Sequence, residues 1–499
     1  MKNLLQRTII AVCLSVPGVL VSPVAAGAAS SGPPTITVNS MIRPAFSASY
    51  TDYAVKCPGG TTTVNAHSPS KTSVSIDGSP RRGGTFSQAV QVSPGQEFTL
   101  TVYRSGWHSA TYHARCIPES MTLPTTTRTG SVQSEFYLAS PQALSFAPNS
   151  YGYDSILLDR NGAPVWWYNT PAPSFFPQLT SRTTFTYFRG TAPPIAVGSG
   201  RGVWETRTLS GNLVSTIVPT DGPADFHELA LTKTGTYYMD GYIPRSPVDM
   251  SPWGGPADSS VVDSVIREIR ANGSTVWSWR SQDHIPLADM GRWGSEEVAN
   301  VALGGSYDVA HVNSIHPDGD GIIASFRHED AIYRIKHNAA GDIDWKLGGA
   351  HTSRSLRIIG DPLAPNTFGG QHDARRLPDG TVSVFDNGTD LGRPPRVTRW
   401  KIDTKKRTAT LIQSFGDSRV AVSPCCGSAR RLPGGHWIVS WGGVPIATET
   451  DSSGRRVLTF DYGHTGEFDN FAYRVLPISP GTVSAAALRA AMNVMHPRP

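Results

Sequence analysis

The sequence predicts an all-β chain: a six-bladed β-propeller preceded by a small β-sandwich. Three observations carry that prediction. First, a hairpin recurs in register. His227, His311, His372 and Gly427 each stand eight positions before a turn glycine, namely Gly235, Gly319, Gly380 and Gly435. The clearest copy runs from Phe368 through Gln371-His372-Asp373 to Pro378-Asp379-Gly380, then into the alternating Thr381-Val382-Ser383-Val384-Phe385, which reads as strand, tight turn, strand. Second, another hairpin alternates with the first, a turn followed by an aromatic or aliphatic strand. Its copies lie around Gly162, Gly211, Gly273, Gly341 and Gly454, with a glycine-less version from Lys401 to Ile412. Six outer hairpins with their inner partners imply six four-stranded blades, closed between the regions of Phe136 and Tyr473. Third, 49 glycines and 39 prolines in 499 residues, with only 17% charged residues, suit many turns and few helices.

From the N-terminus, residues 1–28 read as a signal peptide. Lys2 and Arg7 give a basic start, Thr8 to Leu20 is mostly apolar, and Ala26-Gly27-Ala28 supplies small residues for cleavage. No other stretch is apolar enough to span a bilayer, so the expectation is a secreted, extracellular protein. Residues 30–117 hold about seven short alternating segments and read as the sandwich. Residues 118–131, rich in Pro, Ser and Thr, read as a linker. Residues 132–478 are the propeller. The Pro-, Gly- and Ser-rich stretch 242–263 is expected to cover one end of its channel. Residues 479–499 are a C-terminal tail, with a short helix expected over 483–495.

The formal charge of +5 comes without a dense Lys/Arg run, which argues against a nucleic-acid partner. Four cysteines follow the signal segment. Cys57 and Cys116 bracket one β-rich segment and are expected to pair. Cys425 and Cys426 are adjacent, and the residues leave a vicinal disulfide and a pair of thiols equally open.

Three histidines at one repeat position point to a shared site, because equivalent positions in a ring of blades converge on its axis. A lone histidine there would simply bond the backbone. Arg327, in Ser325-Phe326-Arg327-His328, lies on the second strand of the His311 hairpin and returns toward the same end. A permanently cationic fork beside imidazoles suits a tetrahedral oxyanion such as sulfate or phosphate. It opposes a zinc ion, which three histidines alone would permit, so no metal and no other cofactor is expected. Glu228, Asp308 and Asp373 flank the histidines as candidate partners for them, or as turn caps.

Four segments resemble the arylsulfotransferase family, exported bacterial enzymes independent of a nucleotide sulfate donor, with relatives in fungi. They are Asp308-Val309-Ala310-His311-Val312-Asn313, Ser325-Phe326-Arg327-His328, Gln371-His372-Asp373-Ala374-Arg375 and Phe385-Asp386-Asn387-Gly388. The resemblance covers roughly residues 135 to 475 and implies a six-bladed propeller. It implies that His372 is a transiently sulfated nucleophile. Arg327 and His311 then match the sulfuryl-binding and acid/base residues, Asn313 the neighbouring amide, and His227 the remaining histidine. The implied partners are small molecules, an aryl sulfate donor and a phenol acceptor. The sandwich stands where the enterobacterial type carries a domain that helps form a dimer, so the oligomeric state stays open. The chain is closer to the actinobacterial and fungal branch. Two other readings compete: a non-catalytic propeller binding anionic aromatics or glycans, and a metal-dependent hydrolase or lactonase.

Overall fold

The computed structural model describes residues 33–498 except 106–108, 122, 144–153, 171–173, 193–198, 301–304 and 466–467. The segment read as a signal peptide lies outside the described residues.

Among the described residues, six successive sheets of four or five strands follow the N-terminal region. Each holds a four-stranded antiparallel path whose outer hairpin falls where the second sequence signature placed it; in the third and fifth a short strand, Tyr307–Asp308 and Arg357–Ile359, adds in parallel. The first sheet, Phe136–Ala143, Asp154–Asp159 and Pro164–Asn169, is completed by the C-terminal strand Phe468–Ile478, with Phe136 opposite Ile478. A ring of sheets has no free edge at its seam when its last strand pairs with its first. The turns need their glycines for backbone reasons. Gly235 and Gly380 have φ of +83° and +79°, and a Cβ at either would meet nothing within 4 Å. Positive φ, not space, is what excludes other residues there.

Tryptophans tie neighbouring sheets together. Trp166 in the first sheet donates its indole N–H to Leu209 O (2.7 Å), at the second. Trp204 in the second donates to Asp225 O (3.1 Å), and Trp279 in the third to Gly341 O (3.0 Å). All three are fully buried. Burying an aromatic side chain of this size stabilises by roughly 4–5 kcal/mol as an upper bound. The indole bond keeps that burial from stranding a polar group.

The N-terminal unit is a three-stranded sheet and a five-stranded sheet around one apolar core that includes Ile36, Val64, Phe86, Val55, Leu100 and Val102. The Cys57–Cys116 disulfide crosses it, as expected. Helix α2, Ala485–Met495, begins at a Ser484 cap and buries Leu488 and Met492 in the core of the first sheet. Its Arg489 reaches Asp52 of the sandwich (2.8 Å), so the tail fastens the two units.

Two expectations need correction. The segment read as a linker contains an ordered strand, Thr125–Arg128, on the outer edge of the sixth sheet, where alternating threonines pair with Leu458–Asp461. The stretch 242–263 is largely strand within one sheet rather than an insertion between sheets, since Tyr237–Val248 and Ser259–Ile269 form one long hairpin. Its Tyr242 stands beside the rings of His227 (6.2 Å) and His311 (5.9 Å). Helix α1, Trp293–Asn300, packs through Trp293 on a small core with Val248, Met250 and Val309.

Candidate active site

Each sequence-predicted histidine stands at the inner start of a sheet, and the ring brings them together. The rings of His227 and His311 lie 5.0 Å apart, centroid to centroid. The ring of Tyr473 lies 5.9 Å from His227 and 5.9 Å from His372, bridging the two. Arg327 joins through His328, whose ring lies 4.9 Å from His311. All four histidines are buried.

The tautomer of His372 is fixed by its partners. Nδ1 lies 2.8 Å from Gly370 O and 2.8 Å from Asn387 Oδ1. Both oxygens only accept, so Nδ1 carries the proton. Nε2 receives the backbone N–H of Cys426 at 3.2 Å, so it carries a lone pair. Burial, then the charge of Arg327, holds this imidazole well below its ordinary pKa, against the pull of Asn387. It is therefore a neutral nitrogen base facing the cluster.

The other two histidines are oriented by carboxylates. Asp308 Oδ2 accepts from His311 Nδ1 at 2.6 Å, and Asp308 Oδ1 accepts the backbone N–H of His311 at 3.0 Å. His311 adopts a φ of +55°, uncommon for a side chain of this size and set by that local bonding. Burial lowers the His311 pKa and Asp308 opposes it. Asp225 accepts from His227 Nδ1, and Asp240 lies 3.6 Å from the same nitrogen. Burial pushes both of these carboxyls up.

Arg327 is half-buried and held on three sides. Nη1 donates to His328 Nε2 (2.7 Å), Nη2 donates to Pro424 O (3.2 Å), and the guanidinium lies 4.1 Å over the Trp293 ring. His328 Nδ1 in turn donates to Asp308 O (2.7 Å) and its ring stacks on Trp293. Glu297 on α1 lies 3.6 Å from His328 Nε2. Burial, helped by the Asp308 charge, pushes its carboxyl to about 8.

Asn313 does not stand among the free groups of the cluster. It is fully buried and its amide donates to Gln371 O (2.8 Å), holding the strand that carries His372. Nor do Glu228 and Asp373 serve the histidines. Glu228 pairs with Arg375 and Arg474, and Asp373 with Arg375 and Arg430. Burial works to raise the Asp373 carboxyl, but Arg430, Arg375 and Arg474 together hold it well below the usual range. A charged layer of three arginines and two carboxylates thus lies beneath the histidines. Only Asp308, of the three flanking carboxylates, orients an imidazole.

Sequence reasoning missed Asp225, Asp240, His328, Asn387, Trp293 and Tyr473 as contributors. His328 and Asn387 stood inside the quoted motifs. The Asp-x-His of Asp225 and His227 was also a local signal. Trp293 and Tyr473 come from distant segments, and nothing near them in sequence marks them.

Among the described residues, two groups place three donor atoms close enough for a metal ion: Asp308, His311 and His328, and Asp225, His227 and Asp240. In the first, both ring nitrogens of His328 are engaged, one by the Asp308 carbonyl and one by the cationic Arg327, which disfavours a second cation. Cys425 and Cys426 are joined as a vicinal disulfide beside His372, deciding between the alternatives the sequence left open.

Fold and cluster together define a β-propeller with buried histidines and a half-buried arginine gathered where the first strands of its third, fourth and fifth sheets begin. A profile described as Arylsulfotransferase (ASST) matches residues 199–463, more than half of the chain, and the chain belongs to that family. It is accordingly an arylsulfotransferase, a transferase of sulfur-containing groups acting on small molecules. The match contains His227, His311, Arg327 and His372. A search of curated proteins finds no match. Among solved structures, a protein of unknown function from Bacteroides caccae is similar over 69% of this chain and 99% of its own, with 10% identity and a TM-score of 0.41. A putative 6-phosphogluconolactonase from Bacteroides fragilis is similar over 71% and 98%, with 11% identity and a TM-score of 0.36. The β-propeller domain of Myceliophteria thermophila Cps50 (Swd1) is similar over 74% and 93%, with 9% identity and a TM-score of 0.30. Likenesses this distant carry no argument about chemistry.

Proposed function

We propose that this enzyme moves a sulfuryl group from a phenolic sulfate ester to a phenolic acceptor through a sulfohistidine on His372, in two ping-pong half-reactions with no nucleotide donor. One observation carries the reading: His372 is locked with its proton on Nδ1 and a lone pair on Nε2, which rests against the Cys426 N–H beside the histidine–arginine cluster.

In the first half-reaction, Nε2 attacks the sulfur in line. The S–O bond to the ring breaks, and the phenolate leaves with the electron pair. His311 gives that oxygen the proton it took from the acceptor phenol of the preceding cycle; Asp308 stabilises the imidazolium in between and fixes the ring. Arg327 and His227 receive the sulfuryl oxygens, where charge is held in flight. In the second half-reaction, neutral His311 takes the proton of the acceptor phenol, whose oxygen attacks sulfur and restores His372. Asn313 acts by holding Gln371 rather than by touching sulfate. We further propose that residues 1–28 direct export, and that the enzyme works outside the cell, where its two disulfides are stable.

The test is incubation with a chromogenic aryl sulfate, with and without a phenol, followed by intact mass and peptide mapping. The expected result is a burst of phenol and a sulfuryl-sized adduct on His372, discharged by acceptor. Steady turnover with no adduct on His372 under rapid quench would refute the covalent route.

A further inference from the structure

We infer that the backbone N–H of Cys426, pinned by the vicinal disulfide, is a further catalytic group: it hydrogen-bonds the sulfuryl oxygen once sulfur is on His372. The inference rests on the sulfohistidine reading above and adds a donor outside the histidine–arginine set.

The argument starts from a buried donor that must change partners. In the resting enzyme the Cys426 N–H points at the Nε2 lone pair of His372, 3.2 Å away. When Nε2 forms its bond to sulfur, that lone pair is consumed and the nitrogen can no longer accept. Cys426 is buried, 8% exposed, so its N–H cannot turn to bulk water and needs another acceptor. Sulfur bonds Nε2 where the lone pair was, so the His372 ring must turn off the amide as the bond forms, and the sulfuryl oxygens around that sulfur become the acceptors within reach of this hydrogen. The same bond caps the nucleophile in the absence of substrate and is exchanged, not lost, as negative charge arrives. That is the behaviour of a preorganised oxyanion donor.

The local build keeps the amide in place. Cys426 has a φ of +67°, in the left-handed region that a residue with a Cβ seldom enters. The covalent link to Cys425 closes a small ring around the peptide that carries this N–H. The segment is also tied on either side. Asn387 Nδ2 donates to Cys426 O (3.0 Å), Gly443 N–H to Cys425 O (2.9 Å) and Gly427 N–H to Tyr473 O (3.0 Å). Arg327 Nη2 donates to Pro424 O (3.2 Å). Asn387 therefore touches both members of the pair, accepting from His372 Nδ1 and donating to the carbonyl of Cys426. Nucleophile and donor share one anchor.

In atoms, the step is unchanged by the added donor. The N–S bond forms from the Nε2 pair, the aryl S–O bond breaks, the phenolate takes the proton of His311, and the Cys426 amide keeps its hydrogen throughout.

The experiment uses full-length enzyme labelled with ¹⁵N at cysteine only, so that few amide signals are present. The Cys426 signal is assigned by its loss in Cys426→Ala. Aryl sulfate is added without acceptor, and intact mass is followed in parallel. The Cys426 amide is expected to shift in step with the adduct, while the Cys57 and Cys116 amides stay put. An adduct on His372 with an unmoved Cys426 amide overturns the donor and leaves the sulfohistidine standing. No adduct at all overturns both. As a second measurement, made on Cys57→Ser/Cys116→Ser enzyme so that Cys425–Cys426 is the disulfide left to open, a dithiol reductant gives two electrons to Cys425 and Cys426 and becomes a cyclic disulfide itself. Loosening the amide is expected to slow the phenol burst roughly tenfold or more, short of the 10²–10³ lost when a donor is deleted outright, with the donor KM changed far less. Reoxidation restores the burst. A burst rate unchanged by reduction refutes the bracing role.

Discussion

Asn387→Asp is the sharpest probe of the tautomer on which the chemistry depends. In the wild type a neutral amide oxygen accepts from His372 Nδ1 at 2.8 Å, and burial with Arg327 keeps the ring uncharged. The substitution puts a carboxylate in the same place. Two opposite charges about 4 Å apart at an effective dielectric of about 20 attract by roughly 4 kcal/mol. An adjacent opposite charge commonly raises a histidine pKa by about 1–3. The sign is upward, so His372 takes up a proton, and loses the Nε2 lone pair, at a higher pH than in the wild type. The acid limb of phenol release in a single turnover should move up by about 1–3 in pH. At a pH on that limb the variant should run about tenfold or more slower than the wild type, recovering as the ring deprotonates. Asn387→Leu is the companion: it adds no charge but strips buried Ser423 Oγ and Cys426 O of the amide donor. It should cost about 1–3 kcal/mol for each group left unpaired, read by thermal melting, and give a pH-independent fall in rate. A wild-type pH profile at full rate in Asn387→Asp would refute the argument that Nε2 of neutral His372 is the attacking atom.

Other outcomes follow from the same geometry. Asp308→Asn removes the charge that orients His311 and should lower turnover about 10²-fold or more with little change in donor binding, separable as a kcat effect in steady-state kinetics. Glu297 has its folded pKa raised from the usual 4.5 to about 8. The stability this contributes is full below about pH 4.5 and is lost as pH rises through 8. Glu297→Gln should therefore flatten the fall in stability between about pH 4.5 and 8, by up to about 5 kcal/mol in all, read from melting at a series of pH values; parallel pH profiles for the two proteins would contradict this. Replacing Cys57 and Cys116 by serine opens a loop spanning 59 residues and should destabilise the sandwich by roughly 4 kcal/mol in the chain-entropy model, measured by denaturant unfolding.

The periodic features were legible in the chain, and the reason is local. A tight turn needs positive φ, positive φ selects glycine, and alternation marks the strands on either side. The spacing of Gly235, Gly319, Gly380 and Gly435 therefore announced the inner hairpins, and with them the shared position of His227, His311 and His372. The return of Arg327 toward the same end also follows from hairpin pairing alone. Three-dimensional closure decided the rest. The ring sets Tyr473 beside His227 and His372, although more than a hundred residues separate it from His372 on the chain. It swings Trp293 of a distant insertion under Arg327, and it lays the Cys426 amide against Nε2. It also reassigned Glu228 and Asp373, which sit next to histidines in sequence but turn away from them. Asp373 stands in a β-bulge with a φ of +55° and Glu228 just ahead of its strand Leu229–Leu231, so neither follows its histidine's direction and both reach the layer where Arg375, Arg430 and Arg474 await them. Sequence determines which residues share a position in the repeat; only the closed ring determines which of them touch.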